Sequence, residues 1–280
     1  MAHSKVIHSF RKKVWAYYRV HGRHDLPWRK KPTLYRVLVS EVMLQQTQVE
    51  RVLPFYKSFL KKFPTAKKLA AAPLSEVLKA WQGLGYNRRA KLLHQAAQRL
   101  VSTPPFRTRF NLVEKLEELP GVGPYTARAV AAFAWNQDVV CIETNIRTVI
   151  IHHFFSAPAR DTRGMIYHTS DGKISDAEIG AILEKCLPKG RAREWYAALM
   201  DYGAYLKRSG ISHNTKSKTY AKQARFSGSL REARGALLRA SLQGVTSRIK
   251  LITLLGPSRT AQMRRALSAL QKEGLISGSL

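Results

Sequence analysis

The sequence has few cysteines, no long apolar run and no apparent secretion signal. Its two cysteines, Cys141 and Cys186, exclude a disulfide framework and any zinc or iron-sulfur site that needs four cysteine ligands. No window approaches the roughly 18 apolar residues of a membrane-spanning helix. The N-terminal stretch MAHSKVIHSFRKKVWAYY has no apolar segment of signal-peptide length. We therefore expect neither a secreted nor a membrane-spanning protein.

Acidic residues are also scarce. Asp and Glu number 18 against 48 Lys and Arg, which gives a formal net charge of +30. This imbalance far exceeds what solubility requires, so phosphate polyanions are the expected partner. A structural nucleic-acid binder, such as a ribosomal protein, fits this composition. An anionic membrane surface fits less well, because basic residues occur throughout the chain rather than in one amphipathic segment. We expect a nucleic-acid partner, no membrane, and a cytoplasmic, nucleoid-associated location.

Alternating apolar and polar runs long enough for a sheet are rare, whereas apolar spacings of three and four dominate. The predicted fold class is therefore all-α. Leu34, Leu38, Glu41 and Gln45, for example, fall on one helical stripe. A hydrophobic content of 45% suffices for one substantial core and a second, smaller one.

A basic connector without acids, residues 203–225, predicts a domain boundary near residue 226. Residues 1–225 would form the first domain and residues 226–280 the second. The second domain contains three short helical patterns, the last ending at Gly274 with a strand after it. This order fits a winged helix-turn-helix whose recognition helix carries the polar side chains of Arg259, Gln262, Arg264 and Arg265. A plain three-helix bundle with a solvated basic face fits nearly as well.

The strongest local motif is LPGVGPYTARAV, residues 119–130. Its glycines allow a tight hairpin, and Pro124 suits the first position of the following helix. The backbone N–H groups at the start of that helix would bind a phosphate. An ordinary loop between two helices is the alternative. The motif predicts a helix-hairpin-helix that holds a nucleic-acid backbone without reading sequence.

Several motifs together resemble the helix-hairpin-helix DNA glycosylases, and most of all the MutY-like adenine glycosylases that act on A/G mispairs. They occur in the family's order and spacing within residues 10–206: LPWRK (26–30), VSEVMLQQTQV (39–49), WQGLGYNRRAKLLHQAA (81–97), LPGVGPYTARAVAAFAW (119–135) and ALMDYGAYL (198–206). The resemblance implies a two-lobed helical fold. It also implies an enzyme that flips one nucleotide from double-stranded DNA containing a mispair or lesion, then hydrolyses its base from the sugar.

Glu41 is the candidate general acid. Release of a purine needs a proton on the leaving base and a negative charge beside the sugar as it becomes an oxocarbenium ion. The apolar face that Glu41 shares with Leu34 and Leu38 should raise its pKa, which suits a proton donor. A partnered core glutamate is the alternative. The glutamate of SEVMLQQT protonates the base in MutY-like enzymes, and the resemblance gives Glu41 that role.

Glu143 is the candidate second carboxylate. An isolated acid in CIETNIRT would ordinarily be solvated or would interact with a helix N-terminus. The family has an aspartate followed by Gly-Asn here, and this chain has Glu143, Thr144 and Asn145. The glutamate arm is longer by about 1.5 Å, one carbon-carbon bond. Misplacement on this scale costs on the order of 100-fold in rate, so we expect the backbone to compensate.

The resemblance assigns further residues. Tyr125 stands where lyase relatives carry a lysine nucleophile, which implies a monofunctional enzyme whose Tyr125 hydroxyl lies near the sugar and Glu143. Gln46, with Gln45 beside it, would fill the space of the flipped base, and Tyr86 would wedge from the opposite side. As lone aromatics, both tyrosines would more often be core residues. The remaining expected DNA contacts are Trp28, Arg29, Leu44, Arg88, Gly121, Val122, Gly123, Lys207, Arg208, Lys216, Lys218, Arg264 and Arg265.

Two departures from the family pattern affect these expectations. Lys207, Asn214, Ser217 and Gln223 occupy the places of the four cluster cysteines, so no iron-sulfur cluster is expected. The basic loop should still meet DNA through Lys207, Arg208, Lys216, Lys218 and Lys222. Each phosphate that these cations neutralise would add about 0.9 to the slope of log affinity against log salt.

The second departure is the short C-terminal segment, which is too small for the Nudix-like domain that reads 8-oxoguanine in MutY-like proteins. Residues 160–189 have no family counterpart and could be an insertion near the cleft of the two-lobed fold. Asp171-Gly172-Lys173 predicts a turn within this segment.

We expect a monomeric, metal-free, monofunctional DNA glycosylase that removes adenine. A monovalent cation at the hairpin is the one cofactor that the resemblance leaves open. Two alternatives remain at this stage. The enzyme could excise another base, such as uracil, thymine or hypoxanthine. The chain could instead be a non-catalytic protein that binds bent or damaged DNA.

Overall fold

A computed structural model describes residues 2–102, 111–155, 173–218 and 225–276. Within these ranges the chain forms fifteen α-helices and no strand beyond an isolated bridge between Ile174 and Ser217, which confirms the all-α prediction. The helices are α1 (Ala2–His21), α2 (Pro27–Lys30), α3 (Leu34–Leu44), α4 (Val49–Lys62), α5 (Ala66–Ala70), α6 (Leu74–Trp81), α7 (Arg88–Ser102), α8 (Leu112–Glu117), α9 (Pro124–Trp135), α10 (Thr144–Ile150), α11 (Asp176–Cys186), α12 (Ala192–Arg208), α13 (Leu230–Leu242), α14 (Arg248–Thr253) and α15 (Thr260–Lys272). A π-helical turn, Ile151–Phe155, follows α10 directly.

The chain divides into two compact units. The first contains Met1–Leu38, Arg107–Glu117 and Val122–Ala221, and the second contains Val39–Phe106, Glu118–Gly121 and Lys222–Leu280. Residues 226–280 thus belong to the same unit as α4 to α7. Their independence as a domain stays a prediction.

The first unit has a core of apolar and aromatic side chains from α1, α9, α10, α11 and α12. Trp195 and Tyr196 of α12 are fully buried there, and Phe10 of α1 packs edge-on against Trp195. Both cysteines are buried in this core, and burial raises the pKa of Cys186 to about 12. This core fixes α12 against α10, which matters for the site.

In the second unit, Tyr56, Phe59, Leu69 and Trp81 form the buried interior of α4 to α7. The three short helices predicted near the C-terminus are present as α13, α14 and α15. The last one ends at Lys272, slightly before the predicted end, because the chain turns into a left-handed conformation at Gly274. The predicted strand after Gly274 does not include Leu275 and Ile276, which form a bend, and residues 277–280 lie outside the described residues.

Part of the segment 160–189 is described. Residues 173–189 contain α11, which Ser175 and Glu178 start with a reciprocal capping box. The predicted turn at Asp171-Gly172 lies outside the described residues.

In the described part of the chain, none of the helices combines the length and apolarity that crossing a bilayer requires.

Candidate active site

Glu143 starts helix α10 as its N-cap. Its Oε1 accepts hydrogen bonds from the backbone N–H groups of Asn145 and Ile146, both at 2.8 Å, and its Oε2 accepts one from the Asn145 side-chain amide at 3.2 Å. The carboxylate therefore satisfies helix N–H groups that would otherwise have no intrahelical acceptor. The simpler interpretation of Glu143, as a partner of a helix N-terminus, is therefore correct. These hydrogen bonds hold the carboxylate at the start of α10.

Gly203 of α12 lets this N-terminus come close. A Cβ atom added at Gly203 would lie 2.4 Å from the carbonyl oxygen of Asn145 and 2.7 Å from its Cβ. Any side chain at residue 203 would therefore push α12 and the start of α10 apart. The absence of a Cβ at residue 203 is one reason why Glu143 lies where it does.

Charged groups surround the Glu143 carboxylate. Burial raises its pKa, while the two backbone N–H groups and the charges of Lys207 and Arg147 oppose that rise. Lys207 is half-buried on the last turn of α12, and its own pKa is lowered by burial, an effect that Glu143 counteracts. Arg147 is held by Asp176 through two hydrogen bonds of 2.8 and 2.7 Å. These donors and cations therefore limit the rise in the pKa of the Glu143 carboxyl group.

Tyr125 belongs to the same region. It is the second residue of α9, is half-buried against the core of the first unit, and interacts electrostatically with Arg147. The structure therefore brings Glu143, Asn145 and Lys207 together, with Tyr125 connected through Arg147. The predicted proximity of Tyr125 to the sugar stays a prediction.

Asp201, two residues before Gly203, organises a buried ion pair. Asp201 is 3% exposed and accepts two hydrogen bonds from the Arg29 guanidinium, at 2.7 and 3.0 Å. It accepts two more from Arg23, one from the side chain at 2.7 Å and one from the backbone N–H at 2.8 Å. Burial alone would raise the pKa of Asp201, but the bonds and charges of Arg29 and Arg23 outweigh it and lower this pKa. The motif residue Arg29 thus has a structural role between α2 and α12, and Trp28 beside it is buried. DNA contacts from these two residues stay predictions.

Glu41 lies in α3 and is 7% exposed, with Leu38, Val42 and Met43 also buried. Glu41 is therefore buried, and its role as the proton donor stays a prediction. Helix α3 ends at Leu44, one residue before Gln45, so the predicted helical stripe stops short of Gln45. The helix stops there because Gln46 has a left-handed backbone, with φ of 55°. Gln46 is exposed and Gln45 and Leu44 are half-buried.

Arg89 of α7 holds the end of α3 in place. Its guanidinium donates to the carbonyl oxygens of Val42, Met43 and Gln45 at 2.8, 2.9 and 2.6 Å. It donates further to the Thr47 hydroxyl at 3.3 Å and to the Gly85 carbonyl at 3.2 Å. Carbonyls at a helix C-terminus need such donors, so one buried arginine joins the SEVMLQQT and GLGYNRR motifs. Burial lowers the pKa of Arg89 to about 10.

The GLGY turn presents Tyr86 with a left-handed backbone, φ of 50°, directly after Gly85 at φ of 85°. The Tyr86 ring is half-buried, and the Arg89 guanidinium lies 5.2 Å from its centroid. Arg88, in contrast, is exposed at the first position of α7. A wedge role for Tyr86 and a DNA contact from Arg88 stay predictions.

The helix-hairpin-helix consists of α8, a turn and α9. Gly121 needs its glycine conformation, because its φ is 78° and an added Cβ would lie 2.7 Å from the Leu92 Cβ. Val122 is buried. Gly123 precedes Pro124 as the N-cap of α9, with extended backbone and no side-chain capping bond. The hairpin geometry is thus present, while its phosphate contact stays a prediction.

The basic loop after α12 is ordered by bonds to residues 173 and 174. The Ile174 N–H donates to the Lys216 carbonyl at 2.8 Å, and the Lys218 N–H donates to the Ile174 carbonyl at 3.1 Å. His213 lies against His152, with ring nitrogens 3.4 Å apart. Arg208 and Lys218 are exposed and Lys216 is half-buried. Lys222 lies outside the described residues.

Lysine and serine do not fit an iron-sulfur cluster. Lys207 and the buried Ser217 occupy two of the cluster-cysteine places, and the two cysteines of the chain lie elsewhere in the core. The described residues also contain no group of three or more His, Cys, Asp or Glu side chains that could hold a metal ion.

The C-terminal helices (α13 to α15) leave only part of the predicted recognition face open. Arg259 forms a salt bridge of 2.7 Å with Glu232 and donates to Gln262 at 2.8 Å. Gln262 in turn donates to the Gly228 carbonyl at 2.8 Å. Arg264 and Arg265 are exposed, and their DNA contact stays a prediction.

Sequence reasoning missed the supporting residues: Arg89, Arg147, Asp201 and Gly203. Two of them carried a detectable signal in ALMDYGAYL, namely an acid inside an apolar helix and a glycine in a helix interior. The partners of the two arginines could not be found without knowing which helix ends they meet.

Comparisons with known proteins show which family the chain resembles. A family model described as "HhH-GPD superfamily base excision DNA repair protein" matches residues 39–173. An adenine DNA glycosylase of Mycolicibacterium smegmatis is 37% identical over 276 residues, which cover 91% of this chain and 89% of that protein. An adenine DNA glycosylase of Mycobacterium tuberculosis is 39% identical over 190 residues, 67% of this chain and 58% of that protein.

Solved structures support the fold. A thermostable thymine-DNA glycosylase aligns with a TM-score of 0.61 at 23% identity, over 77% of this chain and 94% of that one. A trapped endonuclease III–DNA covalent intermediate aligns with a TM-score of 0.57 at 19% identity, over 75% and 90%. The fold and the motifs define a DNA N-glycosylase of the helix-hairpin-helix class. The chain belongs to the HhH-GPD superfamily of base excision DNA repair proteins.

Proposed function

We propose that the chain is a monofunctional adenine DNA glycosylase that acts as a monomer on mispaired or damaged double-stranded DNA. The observation that carries this proposal is the near full-length relation to the M. smegmatis adenine DNA glycosylase. The chain also has a carboxylate at each of the two places where the reaction needs one. Glu41 is buried in α3, and Glu143 accepts several hydrogen bonds at the start of α10. The proposed reaction uses one carboxyl group as an acid and the other as an anion.

Glu41 is the general acid of the proposed reaction. It donates its proton to the adenine, so the base leaves as a neutral molecule when the bond between C1′ and the base nitrogen breaks. Glu143 is the anion that stabilises the positive charge developing on the sugar. Water then adds to C1′ and loses a proton, which leaves an abasic site and an intact strand.

Neighbouring residues orient the Glu143 carboxylate. Asn145 binds Glu143 through its backbone and its side chain, and Tyr125 places a hydroxyl, in place of an amine nucleophile, at the start of α9. Without that amine the enzyme forms no covalent intermediate with the sugar. The chemistry proceeds without an iron-sulfur cluster, since Lys207 and Ser217 stand at cysteine places. A monovalent cation at the hairpin is compatible with this mechanism.

DNA contacts divide into two groups in this proposal. Gln45, Gln46 and Tyr86 fill the space of the extruded nucleotide, with Leu44 and Arg88 beside them. Backbone phosphates are bound by the hairpin and by the basic side chains. The latter are Lys207, Arg208, Lys216, Lys218, Arg264 and Arg265.

A panel of duplexes tests the function. Each duplex carries one mispair or lesion, with adenine, uracil, thymine or hypoxanthine as the candidate base, and products are analysed with and without alkali. We expect strand scission only after alkali, and fastest for adenine in a mispair. Faster release of another base would reassign the substrate, scission without alkali would show lyase activity, and no release from any duplex would favour a non-catalytic binding protein.

A further inference from the structure

The C-terminal helices contact the predicted wedge residue. Arg231, in the first turn of α13, donates a 2.5 Å hydrogen bond to the Tyr86 hydroxyl. Its guanidinium also lies 5.5 Å from the centroid of the Tyr86 ring and 6.0 Å from that of Phe226. Cation and ring attract one another at such distances, and the bond to the hydroxyl fixes the orientation.

A second contact, on the helix that follows Tyr86, holds the C-terminal helices in place. Lys91 of α7 donates from its ammonium group to the carbonyl of Glu273, just after the end of α15. The Glu273 side chain is held by Arg234 of α13 through a salt bridge of 2.7 Å. A Cβ atom added at Gly274 would lie 2.8 Å from the Lys91 nitrogen, so the backbone approaches closely there. Arg231 is therefore presented to Tyr86 from an anchored helix.

Two arginines from distant parts of the chain therefore contact Tyr86. Arg89 lies 5.2 Å from its ring and ties the turn to Gln45, while Arg231 binds its hydroxyl. The first contact comes from the glycosylase motifs themselves and the second from the C-terminal helices. Two such contacts together control how the Tyr86 ring is oriented.

We propose that Arg231 is a positioning residue for Tyr86, and that the C-terminal helices thereby set how this ring enters DNA when the target nucleotide is extruded. The inference rests on the proposed function, because it needs Tyr86 to insert at a mispair. It gives the C-terminal helices a role in base extrusion in addition to phosphate binding. Loss of Arg231 should impair extrusion far more than it impairs attraction to DNA.

Fluorescence of 2-aminopurine tests the inference without requiring catalysis. The analogue replaces the target adenine in a mispaired duplex, and its emission rises when it leaves the base stack. The proteins compared are the parent, Tyr86→Phe, Arg231→Gln and the double variant, all at saturating concentration. Arg239→Gln is the matched control, because Arg239 is an exposed arginine of the same helix and its loss removes the same charge.

Arg231→Gln and Tyr86→Phe should each reduce the extrusion equilibrium by about tenfold, the scale of one hydrogen bond to a charged donor. The double variant should be no worse than either single variant, and Arg239→Gln should match the parent. Additive losses, an Arg231→Gln signal equal to that of the control, or no emission rise with the parent would each overturn the inference. Normal emission without release of adenine would instead reject the proposed function and leave the positioning role standing.

Discussion

Among single residues, Glu143 shows how a longer side chain is accommodated. The family pattern predicts an aspartate at this place, and the Glu143 carboxylate accepts two backbone N–H groups at 2.8 Å. The same bonds oppose the rise in pKa that burial causes. The same hydrogen bonds therefore cap helix α10 and stabilise the negative charge of Glu143. The negative charge, rather than the identity of the acid, should be what the reaction needs.

Substitution of Glu143 separates charge from length. Glu143→Gln keeps an acceptor for the helix but loses the charge, so single-turnover adenine release should fall by about 100-fold or more. Glu143→Asp keeps the charge and is a favoured helix cap, so its rate should stay within about tenfold of the parent. Complete loss of activity in Glu143→Asp would show a site rebuilt around glutamate, and full activity in Glu143→Gln would remove the residue from the mechanism.

Lys207 should influence the pH dependence of release. Glu143 must be ionised, so the rate is full above its pKa and declines as the pH falls through it. Because burial raises this pKa above the ordinary 4.5 and Lys207 opposes the rise, Lys207→Met should move the acidic limb of the pH profile to higher pH. The measurement is the single-turnover rate against pH at saturating enzyme.

Lys185→Met provides the control for this profile, since Lys185 is an exposed lysine on α11 in the same unit. It removes the same charge and should leave the acidic limb in place. An unchanged limb in Lys207→Met, or an equal displacement in both variants, would contradict the electrostatic role of Lys207.

At the scale of elements, the packing of α12 against α10 positions the site. Gly203→Ala would introduce a Cβ 2.4 Å from the Asn145 carbonyl oxygen, so the start of α10 must shift. We expect release of adenine to fall by about 100-fold, together with a loss of unfolding free energy of about 1–3 kcal/mol. Single-turnover kinetics and thermal unfolding of the same preparation measure both effects.

Gly180→Ala is the matched control, because Gly180 is also a helical glycine of this unit and its added Cβ would meet Ile142 and Val140 only at 3.8 Å. That variant should keep full activity and gain slightly in stability, as alanine usually does in a helix. Equal rates in the two alanine variants would show that close approach at Gly203 has no part in the site.

Helix ends were the elements hardest to predict. Periodicity predicted a helix through Glu41, but it could not show that the helix ends before Gln45. That end depends on the left-handed backbone of Gln46 and on the carbonyl contacts made by Arg89, which is 44 residues further along the chain. Contacts of this range carry no local signal in the sequence.

For the whole molecule, composition and motifs were enough to predict the all-α class and the superfamily. The scarcity of alternating runs excluded a sheet, and the order of the short motifs was specific to one group of enzymes. The burial of Glu41 also followed from its apolar helical neighbours. The interactions of Arg29 with Asp201 and of Lys207 with Glu143 could not be predicted. The sequence near a DNA-binding motif does not show whether a basic residue binds a phosphate or a carboxylate.

The net charge of the whole chain affects DNA affinity rather than the choice of base. The net charge of +30 accounts for attraction to any duplex, and it does not distinguish a mispair from a normal pair. In the proposed function, discrimination must therefore come from extrusion and from the chemistry that follows. A variant that loses chemistry alone should bind duplex DNA as the parent does.

Glu41→Gln is the most direct test of the two-carboxylate mechanism. It replaces a buried acid by an amide of nearly the same shape, so the fold and the net attraction to DNA are retained. Two quantities are measured on the same protein: single-turnover release of adenine and affinity for a mispaired duplex at fixed salt. The account predicts that release is abolished while affinity stays nearly unchanged. Release at the parental rate would contradict it, because base departure would then need no proton from residue 41.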